Sequence, residues 1–164
     1  MNKSLGKVNK GHYRVFTNVA KDIIFSEPFQ SLKKYVQHGD TSTFKHLLGV
    51  AYTAFMISEK LRLKTDVKDL IAGALLHDYV FYDWHTHGDK LHGFHHPEIA
   101  ANNAAKDFDV SENALSAIRS HMWPLTISKV PKSTEAALVC VADKICSIKE
   151  MFQKIKPRKY TELK

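Results

Sequence analysis

Residues 70–78 read LIAGALLHD. Seven apolar or small residues in a row suit a helix buried on most of its sides. His77 and Asp78 follow without a break. A carboxylate held in such surroundings costs several kcal/mol unless something positive or hydrogen-bonding meets it. The fold must therefore bring partners from other elements to this point.

The periodicity is helical almost throughout. Residues 13–25 place Val15, Phe16, Val19, Ile23 and Ile24 at spacings of three and four, and a second short helix is expected from Pro28 to Val36, with Pro28 suited to a first turn. Residues 42–63 form a longer helix, with Thr41, Ser42 and Thr43 as candidate caps and His46 on the same face as Leu47, Val50, Ala51, Ala54, Ile57 and Leu61. Asp66 can cap the helix that ends at His77. From Val80 to Phe94 the pattern dissolves into aromatic, glycine and histidine residues, a loop of about 15 residues, and loops of that length in compact domains tend to be functional. Further helices are expected from Pro97 to Lys106 and from Ser111 to His121. A basic connection, Pro124 to Lys132, leads to a last long helix from Ser133 to Lys154. No β-hairpin and no internal repeat stands out, so the expected class is all-α.

Size and charge bound the function. At 164 residues and 44% hydrophobic the chain can bury a core without staples, and one domain is expected over residues 1–164, with its core at 42–150. The N-terminal helices at 13–36 precede that core and a basic tail follows it. Much of the net charge of +7 sits at the two ends, which argues for solvated tails over a nucleic-acid surface; an anionic small molecule fits the charge equally well. No zinc finger or Gly-rich phosphate loop is present, so nucleic acid is not an expected partner. No apolar run reaches the roughly 18 residues of a membrane span, and Cys140 and Cys146 read as reduced core thiols, which together point to the cytoplasm.

Six of the ten histidines fall between His77 and His96. More telling is that His46, His77, Asp78 and Asp143 come from the inner faces of three separate helices, each among apolar or small neighbours. Two imidazoles and two carboxylates around one divalent cation would satisfy those charges. His96, before Pro97, and His121, at a helix end, would add a second site with Asp78 bridging the two ions.

The ordered set His46, His77-Asp78, His96, His121, Asp143, in the contexts LLHD, HHP, IRSHMWP and VADK, resembles the HD superfamily of metal-dependent phosphohydrolases, and especially a group of small bacterial HD-domain proteins of undefined substrate. The resemblance covers roughly residues 42–150. It implies a compact helical bundle around a metal site, with His46, His77, Asp78 and Asp143 on the first ion and His96, His121 and Asp78 on the second. His96 is preferred to His95 because it directly precedes proline. The cofactors it implies are two divalent transition metal ions, drawn from Fe, Mn, Zn, Ni or Co.

Such a site suits phosphoester hydrolysis by metal-activated water. Asp78 would orient the attacking hydroxide, and His92 or His95 would protonate the leaving oxygen. Lys144 could reach a phosphate or could be an ordinary helix lysine; Arg119 carries the same ambiguity. Phe81, Tyr82 and Trp84 either pack the loop onto the bundle or form a substrate wall with His85, and Met122, Trp123 and Pro124 read as core before cleft wall. The expected substrate is a small phosphomonoester, nucleotide or dinucleotide. Two other functions share this ligand set: a di-iron oxygenase resembling inositol oxygenase, and a non-catalytic domain that senses a nucleotide.

Overall fold

The computed structural model describes residues 10–38, 40–83, 88 and 90–155. Helix α1 (Lys10–Ile24) leads through Ser26, whose hydroxyl accepts from the Phe29 N–H, into α2 (Glu27–Ser31) and a 3-10 turn, Leu32–Lys34. A two-stranded antiparallel ribbon follows, β1 (Val36–His38) on β2 (Thr41–Ser42), with an irregularity in register between Val36 and His38. Then come α3 (Thr43–Leu61), α4 (Val67–Leu76), α5 (His92–Asp107), α6 (Glu112–Ser120) and α7 (Thr134–Ile155). The all-α expectation holds, since the ribbon is the one departure among the described residues.

The helices start where short polar side chains can take up free N–H groups. Ser42 accepts from Lys45, Asp66 from Asp69, Ser111 from Ala114 and Ser133 from Ala136. Helix α4 is the hub: its residues Leu70–Leu76 are all buried, and it packs against α3, α6 and α7. Leu47, Val50 and Ala54 of α3, Ile118 of α6, and Val139 and Ala142 of α7 complete this core at full burial. Gly73 permits a close approach of α4 to α6. A Cβ there would lie 3.1 Å from the Ala117 Cβ and 3.4 Å from the Ala114 carbonyl oxygen on α6. No helix among the described residues is long and apolar enough to cross a membrane.

Three boundaries differ from those expected. Helix α5 begins at His92, not Pro97. A residue before proline ordinarily avoids helical angles, which made Pro97 look like a start. Here Pro97 lies inside the helix and forfeits one backbone bond, while Leu91 at the N-cap offers no capping side chain that could have marked the true start. The second helix stops at Ser31 instead of running to Val36. The strand beyond it is the missed ribbon, too short at three and two residues to show alternation. The loop after α4 shortens accordingly; residues 84–87 and 89 lie outside the described residues.

Candidate metal centre

Each helix of the core delivers one side chain to a single point. His46 comes from the first turn of α3, His77 from the C-cap just after α4, Asp78 from the turn that follows, His96 from α5, His121 from the C-cap of α6, and Asp143 from mid-α7. All six are buried. Burial at helix ends is possible here because residues 77 and 78 remain in a tight turn, after which Tyr79 pins the chain to α5: its hydroxyl donates to Asp107 at 3.0 Å, and Asn103 donates to its carbonyl at 3.1 Å.

The six groups divide into two sets around Asp78. On one side the Nε2 atoms of His46 and His77 are 3.3 Å apart, with Asp143 Oδ1 at 3.3 and 3.6 Å from them and Asp78 Oδ2 at 3.8 and 3.4 Å. On the other side the Nε2 atoms of His96 and His121 are 3.0 Å apart, with Asp78 Oδ1 at 2.9 and 3.3 Å. One carboxylate thus turns one oxygen to each histidine pair.

The outward nitrogens settle which tautomer each ring adopts. Nδ1 of His77, His96 and His121 lies 2.8, 2.8 and 2.7 Å from the carbonyl oxygens of Ala74, His92 and Ile118. A carbonyl can only accept, so each of these Nδ1 atoms carries the hydrogen. His46 Nδ1 faces the carboxylate of Glu150 at 3.0 and 3.2 Å and does the same. The Nε2 lone pairs of neutral rings then point at one another and at carboxylate oxygens. Asp78 Oδ1 is correspondingly fully buried with no hydrogen-bond donor aligned on it, although two Nε2 atoms lie close by. Acceptors facing acceptors in a dry core must be met by positive charge, either protons on Nε2 or a cation between them. An imidazole-rich donor set with carboxylates suits a divalent transition metal, and two groups of ligand atoms lie close enough together to hold one: His46, His77 and Asp143, and, straddling the two sets, His77, Asp78 and His121.

In the absence of a metal the charge demand appears as displaced proton affinities. Burial alone would raise Asp78, but His77 and His96 beside it hold it well below the ordinary carboxylate range. Burial likewise opposes Asp143, which the hydrogen bonds of His46 and His77 bring well below that range. For His77 burial is outweighed by Asp78 and Asp143, which push it well above an ordinary imidazole; His46 is raised against burial by Asp143 and Glu150. His121 goes the other way, lowered by burial in spite of Asp78.

The centre opens into a cleft of about 910 Å³. His92 lines it, its ring stacked on His96 at 4.5 Å between centroids and its Nδ1 3.3 Å from the Tyr82 hydroxyl. Lys144 lines it too, with Nζ donating to the His121 carbonyl at 2.9 Å and the Cys140 carbonyl at 3.3 Å. His95 is exposed on α5 and does not line this cleft. Arg119 is engaged outside it with Glu98 and Glu112. Met122 and Pro124 form part of the wall and not of the core, because the chain turns outward directly after His121. Trp84 and His85, expected at the substrate wall, lie outside the described residues.

Two partners of the centre, one buried and one half-buried, were missed from the sequence. Gln37, on β1, donates to Asp78 Oδ2 and accepts from the Thr43 hydroxyl at 3.2 Å. Nothing marked it, since it fell in the connection between the helices expected at Pro28 to Val36 and at 42–63. Glu150 did carry a signal: it follows the ligand candidate Asp143 by seven residues, two helical turns on the same face. Residues 43–148 match the family model described as HD domain. No curated protein and no solved structure matches the chain.

Proposed function

Because the chain belongs to the HD-domain family of metal-dependent phosphohydrolases, we propose that it hydrolyses a small phosphoester, such as a phosphomonoester, nucleotide or dinucleotide, with two divalent transition metal ions. The observation that carries this reading is the orientation of Asp78, one oxygen toward His46 and His77 and the other toward His96 and His121. His46, His77, Asp143 and Asp78 would hold one ion, and His96, His121 and Asp78 the other. When bound, such ions would make water more acidic near neutral pH and would neutralise charge building on phosphoryl oxygens.

The protein's own groups supply the remainder. Asp78 fixes where the nucleophile stands, and is itself fixed by the Gln37 amide. Ser147 donates to Asp143 at 3.1 Å and keeps that carboxylate turned inward. His92 stands in the cleft, where its imidazole can deliver a proton to the leaving oxygen; its contact with the Tyr82 hydroxyl orients the ring. Lys144 places a positive charge at the end of α6 and on the cleft wall, within the region a phosphate would occupy. Buried imidazoles on rigid helices keep this geometry without waiting for substrate.

The test is elemental analysis of the purified protein together with a panel of phosphatase and nucleotidase substrates, before and after chelation. Phosphate release that disappears with chelator and returns with Mn²⁺ or Co²⁺ supports the reading. Iron-dependent oxygen consumption on a polyol or phosphonate, without phosphate-ester turnover, would assign the same ligands to an oxygenase.

A further inference from the structure

The two halves of the centre are not equivalent. Three of its four imidazoles rest Nδ1–H on neutral backbone carbonyls, those of Ala74, His92 and Ile118. His46 instead rests on the carboxylate of Glu150, both of whose oxygens lie within 3.2 Å, and that side chain is only 12% exposed. A carbonyl orients the ring, whereas a carboxylate in a poorly solvated position also adds negative charge and makes the opposite nitrogen a stronger donor. Asp143, Ser147 and Glu150 follow one another at spacings of four and three along α7, so one helix face supplies a ligand candidate, the hydroxyl that holds it, and the carboxylate behind His46. Glu150 lies beyond the segment matched by the family, which ends at residue 148.

We propose that Glu150 is a positioning residue whose charge, acting through His46, makes the His46–His77–Asp143 half the tighter of two divalent cation sites, so that this half fills first. The inference rests on the two-site reading above. Among the described residues the His96–His121 half has no carboxylate at the Nδ1 atoms of its two histidines, which rest on carbonyls, and it would fill at higher metal concentration.

The experiment titrates Mn²⁺ into the metal-free protein and follows free Mn²⁺ by electron paramagnetic resonance. Glu150→Gln keeps an oxygen that can accept the Nδ1–H but removes the charge, so a merely structural role predicts no change. The charge role predicts that E150Q weakens the tighter site about 10- to 100-fold and leaves the weaker one within about twofold. The same loss is expected in a His121→Ala background, which keeps only the first half, and no loss in a His46→Ala background, where the route through the ring is gone. Glu150→Ala should lose at least as much as E150Q. Equal affinity of E150Q and the parent, with two ions bound in both, would overturn the role of Glu150 alone, as would an equal loss in the His46→Ala background. A parent protein that binds no Mn²⁺ would overturn the two-site reading and this inference with it.

Discussion

At the scale of single residues, the centre is a problem of unmatched acceptors that a proton solves partially and a metal solves fully. His46 and His77 are raised above the ordinary imidazole value of 6.5, and Asp78 and Asp143 are lowered beneath the ordinary carboxylate value of 3.8. A raised imidazole contributes stability that is complete below 6.5 and is lost as pH rises through the folded value. A lowered carboxylate contributes above 3.8, and that part is lost as pH falls through its folded value. The metal-free protein should therefore melt at lower temperature at about pH 9 than at about pH 6, with a smaller decline when metal is present because ions then replace the protons. Thermal scans with and without chelator measure this, and an identical pH dependence in both would contradict it. His121 belongs to one half only, so His121→Ala should lose one ion per chain and keep the other, as read by elemental analysis; loss of both would mean that the halves are not separable.

At the scale of elements, five helices carry the site, and α3 and α4 were readable because the apolar face and the ligand of each share one periodicity. His46 continues the stripe of Leu47 and Val50, and His77 follows Gly73 and Ala74 at helical spacing. The short elements were less readable for the opposite reason. The β1–β2 ribbon is held by its pairing and by Gln37 reaching Asp78, 41 residues away in sequence, a contact that no local pattern announces. The start of α5 was obscured by Pro97, whose local preference is overridden by packing. Helix α4 meets α6 through Gly73, and a methyl there would press on the Ala117 Cβ and the Ala114 carbonyl, neither of which can swing aside. Gly73→Ala should gain up to about 1 kcal/mol of helix propensity and lose about 1–3 kcal/mol to overpacking, a net destabilisation. Because α6 carries His121, the displacement should weaken the His96–His121 half more than the other. Denaturant melts and metal titration of the variant check both parts; a variant as stable as its parent would show that α6 can yield.

At the scale of the whole molecule, the buried centre joins α3, α4, α5, α6 and α7 at one point, so stability and metal content are coupled. Chelation should lower the melting temperature as well as the rate of any turnover, since ions bound only to the folded form stabilise it by mass action. An unchanged melting temperature would mean that the core does not depend on them. The general plan was legible from the order of histidines and aspartates along the chain, because ligands must converge and only a helical bundle could make them do so. What could not be read was most of the supporting ring of contacts, three backbone carbonyls and the Gln37 amide, which depend on how elements meet; Glu150 alone carried a signal, on the Asp143 face of α7. The central claim is that Asp78 serves both halves at once, and the direct measurement is the metal stoichiometry of Asp78→Ala beside that of the parent. Loss of both ions from the folded variant, where the parent holds two, is the predicted result; retention of both would contradict it.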